Sequence, residues 1–323
     1  MNTDLPTTVD VLVVGGGPAG LSAATWLGRY QRSTLVIDAG QHRNRFADFA
    51  HGLLGRDPIT PEALLAEARA GLEQYPQVLL RHGTVNAVHR DEDGRFCATV
   101  DGTHRVTAAR LVLATGVRDR FPRIAGFDDH YGTDIHHCPA CDGLTARDQD
   151  VIVLGAGAHV PAYASELLDW ARTVRLVTDT EHPTFDRTQC RTLDEHGIEI
   201  VVGTAEALVG NPGALQGLRL ADGTVVEGSK IFFSYAHVPT NSLAAQLGCD
   251  LDDEGQIIVD GFQLTSVDGI YATGDITPGL QLVPIAIGQG ASAGIACATS
   301  LRGHATSEDV PTPAPPARRF TAG

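Results

Sequence analysis

Lysine is almost missing from this chain: Lys230 is the only one in 323 residues, and 39 acidic residues face 24 Lys and Arg. The resulting formal charge of −15 excludes a nucleic-acid surface, because phosphate backbones are met by a basic footprint. Anionic membranes are disfavoured on the same ground. No run approaches the roughly 18 consecutive apolar residues of a membrane span. The opening stretch MNTDLPTTVD has neither the basic head nor the apolar middle of a secretory signal, so a soluble cytoplasmic protein is expected. Cysteine is sparse, six in all, too few for a disulfide scaffold. Four of these, Cys97, Cys190, Cys249 and Cys297, stand alone, and a lone cysteine reads first as a small buried hydrophobe.

What is present is globular. Hydrophobic residues make up 43% and charged residues 20%, in a length suited to two ordinary domains. VDVLVVGGGPAGLSAATWLGRY reads as an apolar strand over 9–14, a glycine turn and a small-residue helix. The G-x-G-x-x-G spacing falls on Gly15, Gly17 and Gly20. The first glycine allows the tight turn, the second lets a pyrophosphate approach the backbone, and the third lets helix and strand pack closely. The helix N-terminus then offers unpaired N–H groups and a positive dipole end to phosphate. A second strand, STLVID, ends at Asp38, about twenty residues on, where an acid can hold a ribose hydroxyl. Strand, turn, helix, strand and acid in that order make a dinucleotide site.

Near the other end, GIYATGDITP (269–278) is an apolar strand ending in Thr273-Gly274-Asp275. Asp275 can accept hydrogen bonds from a ribityl chain or sit by a phosphate; as a Gly-Asp turn it can equally cap a helix. The small-residue helix PIAIGQGASAGIACATSL follows. Between the two ends lies another strand-turn-helix, DVIVLGAGAHVPAYASELLDWARTVRLVTDTEH, with Gly155 and Gly157 matching the first two fingerprint glycines and Val160 in place of the third. Two similar units about 140 residues apart imply two dinucleotide-binding-like domains. The expected α/β fold has the second domain inserted into the first: 1–116 with 238–303 form the outer domain and 117–237 the inserted one. ATGVRDRFP and SYAHVPTNS read as the crossings. The tail 304–323, rich in Pro, Ala and Thr, is expected to be disordered.

DIHHCPACDG sets Cys138 and Cys141 two residues apart. In a cytosolic α/β protein such a pair reads first as redox-active, since a disulfide can close within one turn and the thiolate is the exchanging form. His136, His137 and Asp142 flank the pair and can move protons. Zinc held by the two thiolates with His136 or His137 is the competing reading, and no second C-x-x-C supports it. A purely structural disulfide does not suit a reducing compartment.

GGGPAG (15–20), ATG (114–116), CPACDG (138–143), GAG (155–157) and ATGD (272–275) come in the order of the low-molecular-weight thioredoxin reductases, which this chain resembles over nearly its whole length apart from the tail. The resemblance implies FAD in the split outer domain and a redox disulfide in the inserted one. It implies that Gly15, Gly17, Pro18, Ala19, Gly20 and Asp38 hold the ADP half of FAD. Ala114, Thr115, Gly116, Gly274 and Asp275 would line its remainder, and Gln281 would approach the flavin. By the same resemblance Cys141 faces the flavin, Cys138 exchanges with substrate, and Asp142 carries the proton. A homodimer is expected on this ground alone.

The pattern departs from those reductases where NADPH would bind. The strand VRLVT runs into Thr178-Asp179-Thr180-Glu181, and carboxylates there would repel a 2′-phosphate at a cost on the order of 1 kcal/mol per close pair. NADPH is disfavoured; NADH is left open, since Asp179 can hold a 2′-hydroxyl. A second departure, HRN (42–44) and HGLLGRD (51–57), resembles the FAD-dependent dithiol oxidases of gliotoxin- and holomycin-type disulfide formation. There His42, Asn44 and His51 would line the substrate or flavin side. That group usually has His after the second cysteine; this chain has Asp142, and the base is then Asp142 itself or His136 or His137. The expected activity is oxidation of a small dithiol to a disulfide through C-x-x-C and FAD, with oxygen reduced to hydrogen peroxide. The alternatives are a nicotinamide-dependent thioredoxin reductase acting on a thioredoxin-like protein, a ferredoxin-dependent reductase of the same fold, and a flavin redox sensor without turnover.

Overall fold

The computed structural model describes residues 5–303, so the tail 304–323, where disorder was expected, lies outside the described residues. The chain divides into two compact units. Of the described residues, 5–43, Glu62–Arg118 and 238–303 make one; Asn44–Pro61 and Asp119–His237 make the other.

In the first unit, β1 (Thr8–Val14) is buried along almost its whole length, as a strand covered on both faces must be. After the glycine turn come α1 (Pro18–Arg29), with proline in its first turn, and β2 (Thr34–Asp38). α2 (Pro61–Leu72) leads to β3 (Val78–His82), and β4 (Val85–Arg90), β5 (Phe96–Val100) and β6 (His104–Leu113) form an antiparallel meander. The ten-residue β6 is long enough to end the meander and also pair in parallel with β1, Val14 opposite Leu113. The sheet order is β3-β2-β1-β6-β5-β4.

The chain crosses on β7 (Val117–Asp119) into α3 (Phe127–His130), β8 (Ile135–His136) and α4 (Pro139–Asp142). Then follow β9 (Asp150–Leu154), α5 (Val160–Glu166), β10 (Thr173–Val177), α6 (Arg187–Glu195) and β11 (Glu199–Val201). β12 (Ala205–Asn211), β13 (Ala214–Leu220) and β14 (Val225–Glu227) make a second meander, and β15 (Lys230–Phe233) closes the unit's parallel sheet, β11-β10-β9-β15-β8. β16 (His237–Pro239), paired with β7, returns the chain to α7 (Ser242–Gln246), β17 (Ile270–Ala272) and α8 (Val283–Ser300). β17 lies parallel to β6, which puts the 273–275 turn at the same sheet end as the 15–17 turn.

The small residues of α8 serve close approach. A Cβ on Gly290 would stand 2.2 Å from the Ala19 carbonyl oxygen of α1, and Ser22 donates to the Ile287 carbonyl at 2.7 Å. Segment 44–61 departs from the boundaries read in sequence, which put it in the outer domain; here it belongs to the second unit. The Phe46 ring packs on Phe121 and Tyr131, centroids 6.4 and 5.7 Å away, and these apolar contacts hold the segment there.

Candidate active site

At the first glycine turn Gly15 has φ of +108°, a conformation that L side chains rarely adopt. A Cβ on Gly20 would lie 2.0 Å from the Gly15 carbonyl oxygen, so helix and turn approach as closely as backbone allows. Gly17 is the opposite case: within 4 Å of where its Cβ would be there is nothing. That open space over a helix start is what a pyrophosphate requires, and the residues present fit a dinucleotide. Asp38 is held at the tip of β2, accepting from the Gly40 N–H at 2.9 Å and from Arg69 Nη2 of α2 at 2.9 Å. Ala114 packs against the turn, its carbonyl oxygen 2.2 Å from a Cβ built on Gly15. Thr115 Oγ1 donates to the Thr240 carbonyl at 2.7 Å, and the Gly116 carbonyl accepts the Thr240 N–H at 3.0 Å.

Gly274 reaches the start of α1, where its Cβ would meet that of Ala19 at 2.7 Å, and Thr273 Oγ1 beside it is buried with no hydrogen-bond partner among the described residues. Asp275 does not cap α8, whose N-cap is Leu282, so the helix-cap alternative is set aside. Instead Asp275 Oδ2 pairs with Arg43 Nη1 at 3.0 Å, and the same nitrogen donates to Gln281 Oε1 at 2.6 Å. Arg43 was missed in sequence; its only signal was its place inside HRN, between His42 and Asn44. Asn44 and His51, expected beside substrate or flavin, lie in the second unit. His51 Nδ1 sits 3.0 Å from Asp57 Oδ1, which with the Gly52 N–H lowers the Asp57 pKa below the ordinary carboxylate value.

Cys138 and Cys141 are joined as a disulfide in the second unit. Pro139 starts α4 with Cys138 as its N-cap, and Cys138 Sγ accepts the Cys141 N–H at 3.1 Å. The Asp142 N–H donates to the Cys138 carbonyl at 3.0 Å, so the turn that closes the disulfide also sets Asp142. Asp142 Oδ2 lies 3.6 Å from His136 Nδ1 on β8. His137 points elsewhere: its Nδ1 meets the Tyr131 hydroxyl at 2.8 Å and its Nε2 lies 3.9 Å from Asp119 Oδ2. Both histidines flank the cysteines in sequence, and only His136 shares a neighbourhood with Asp142. Of the lone cysteines, Cys249 and Cys297 are buried as expected, while Cys97 and Cys190 are partly exposed.

The second glycine turn is built differently from the first. A Cβ on Gly157 would meet the His159 ring at 2.7 Å, and His159 Nε2 is fixed 2.8 Å from Ser234 Oγ. The imidazole therefore stands where backbone should be bare. Thr184 Oγ1 and Gln189 Nε2 donate to the carbonyls of Ala156 and Ala158 at 2.9 and 2.6 Å. Asp179, at the tip of β10, accepts the Ala205 N–H at 2.8 Å and the Tyr235 hydroxyl at 2.5 Å. Burial first, then the Asp179 carboxylate, push the Tyr235 phenol well above its ordinary range and keep it a donor. Both Asp179 oxygens are engaged by the chain itself.

A model of the pyridine nucleotide-disulphide oxidoreductases matches residues 9–290. The chain belongs to that family. Among curated relatives, a protein named thioredoxin reductase tcpT from Claviceps purpurea is 28% identical over 313 residues, 91% of this chain and 94% of that one. A probable thioredoxin reductase from Arthroderma benhamiae is 35% identical over 184 residues, and the match spans only 45% of that protein's length. Among solved structures, that of HlmI superposes with a TM-score of 0.86 at 33% identity, covering 91% of this chain and 92% of that one. Fold and family together make this a thioredoxin reductase-like flavin-dependent oxidoreductase with two Rossmann-like domains. Among the described residues no helix is long and apolar enough to cross a membrane.

Proposed function

We propose that the protein is a flavin-dependent dithiol oxidase that closes a disulfide in a small dithiol and does not draw electrons from NAD(P)H. The observation that carries this reading is the second glycine turn. A nicotinamide dinucleotide needs a bare Gly157 for its pyrophosphate, and here the His159 ring, hydrogen-bonded to Ser234, lies against it. The NADH option left open by Asp179 loses its support for the same reason.

A substrate thiolate attacks Cys138 Sγ, the Cys138–Cys141 bond breaks, and Cys141 leaves as thiolate. The second substrate thiol then attacks the substrate sulfur of the mixed disulfide, releasing Cys138 and the product disulfide. Asp142, set by the same turn as the cysteines, takes the proton of the first substrate thiol, and the departing Cys138 sulfur takes that of the second. Gly15, Gly17, Gly20 and Asp38 would hold the dinucleotide half of FAD, with Asp275, Arg43 and Gln281 beside its remainder. When bound, FAD would supply the two-electron acceptor for the reduced cysteine pair, with oxygen as the final acceptor and hydrogen peroxide as its product.

The test is an anaerobic titration of the FAD-loaded protein followed at the visible flavin band, adding NADPH, then NADH, then dithiothreitol. Bleaching by dithiol alone, with peroxide on admitting air, is the expected result. Rapid bleaching by NADPH would overturn it and leave a nicotinamide-dependent thioredoxin reductase, the reading that the relatives' names favour. Bleaching by dithiol without peroxide would leave the ferredoxin-linked or sensor alternatives.

A further inference from the structure

His136 is a titratable side chain to which that reaction gives no task. It sits on β8, two residues before Cys138, and is 4% exposed. Nδ1 lies 3.6 Å from Asp142 Oδ2, too long for a hydrogen bond and close enough for a charge on one to act on the other. Nε2 is buried with no hydrogen-bond partner among the described residues. Phe232 of β15 packs against the ring, centroids 5.3 Å apart. A buried polar atom left unpaired costs about 1–3 kcal/mol, so this nitrogen asks for a compensating role.

The other ionisable groups near the pair are accounted for. Burial, with smaller contributions from Glu166, Asp142 and Tyr131, raises the Tyr163 phenol far above its ordinary value, so it stays neutral beside Asp142. Asp134, two residues before His136, is already held by His130, Lys230 and the Gly213 N–H. His137 is engaged by Tyr131 and Asp119. Asp142 is the acid that faces His136.

We propose that His136 and Asp142 act as a single proton store for thiol exchange at Cys138–Cys141, a refinement that rests on the dithiol reading above. With a neutral imidazole and an ionised carboxylate the pair carries one net negative charge in a largely buried place. One added proton cancels that charge, and at 3.6 Å a proton taken up by one group is felt by the other, so the two act together. In the first step the substrate S–H proton goes to the pair, the substrate sulfur bonds to Cys138 Sγ, and the cysteine–cysteine bond breaks with its electron pair on Cys141. In the second step the remaining substrate S–H proton goes to Cys138 as its sulfur leaves and the product disulfide forms. Two electrons end on the cysteines, one proton on Cys138 and one on the pair. His136 thus shares with Asp142 the proton that the substrate thiol gives up.

The experiment follows disulfide opening directly: the FAD-loaded protein is mixed anaerobically with dithiothreitol between pH 5 and 9, quenched by alkylation, and Cys138 and Cys141 are read by mass spectrometry. His136→Asn keeps a polar side chain at this place on β8 and cannot take the proton. It should slow opening about 10- to 100-fold at pH 7 and flatten the pH profile, with Asp142→Asn similar. The double variant should be no slower than the worse single one, because one unit is lost only once. A His136→Asn rate within twofold of wild type, or losses that multiply, would overturn the proposal. Imidazole ¹⁵N spectra of the unsubstituted protein test the same pair without relying on a variant that folds. Dithiol reduction should protonate the second nitrogen of His136, and an unchanged resonance would overturn the proposal. The outcome is independent of what reoxidises the flavin: absence of peroxide in air would sink the oxidase reading and leave this one standing.

Discussion

Replacing Asp134 by Asn should remove about 3 kcal/mol of stability from the unit that carries the disulfide. The carboxylate is 2% exposed and meets His130 Nδ1 at 2.8 Å, the Gly213 N–H at 2.7 Å and the Nζ of Lys230, the only lysine of the chain, at 3.3 Å. Burial alone would raise its pKa, but His130, the Gly213 N–H and Lys230 outweigh burial and hold it below the ordinary carboxylate value. Asparagine keeps the shape and removes the charge, leaving the Lys230 ammonium, whose side chain is 18% exposed, without its counter-charge. Breaking a buried pair from one side costs about 3–5 kcal/mol, and the partial exposure of Lys230 puts the loss at the lower end of that range. The folded pKa is depressed, so the stabilisation is full above the unfolded value of about 3.9 and is lost as pH falls through the folded value. Urea unfolding followed by fluorescence of Trp170, which packs beside Gly143 in this unit, measures the gap between wild type and variant. The gap should be full from pH 5 to 7 and narrow below about pH 4. A gap under about 1 kcal/mol at pH 7, or one that stays constant down to pH 2, would refute the reasoning.

Arg43→Ala should weaken FAD binding about tenfold or more, because it removes charge-assisted hydrogen bonds that hold Asp275 and Gln281 together; titration of the apoprotein with FAD reads this directly, and an unchanged affinity would count against that grouping. Cys297 should resist alkylation in the native protein up to about pH 11, since burial pushes its thiol up to about 12, while Cys138 and Cys141 react once reduced; mass mapping after iodoacetamide treatment distinguishes them.

The features legible in sequence were those written within a few residues. Gly15, Gly17 and Gly20 announce their turn because each meets a backbone demand that no side chain can meet, and the buried run of β1 before them could only be an interior strand. Cys138 and Cys141 likewise carry their pairing in their spacing, since one turn of α4 brings the sulfurs together. The repeat of strand, glycine turn and helix showed two domains and the insertion, because each unit rebuilds its own parallel sheet from local pieces. Segment 44–61 escaped that logic: its contacts run to Phe121 and Tyr131 from Phe46, and nothing in its own pattern says so.

Side-chain partnerships across long stretches of chain needed the fold. Arg43 meets Asp275 across 232 positions, and no periodicity links them. In sequence the acids near Asp179 spoke against NADPH and left NADH open. The proposed obstacle, the His159 ring against Gly157, depends on a side-chain direction that only packing selects. Even His136 and His137, adjacent in sequence, were indistinguishable as bases until β8 turned one toward Asp142 and the other toward Tyr131. Sequence by itself determined the glycine turns, the pairing of Cys138 with Cys141 and the two-domain plan, because those rest on backbone geometry and short spacing. Tertiary structure alone decided which acid, base and cation stand together, because strands send neighbouring side chains to opposite faces and only packing decides what each face meets.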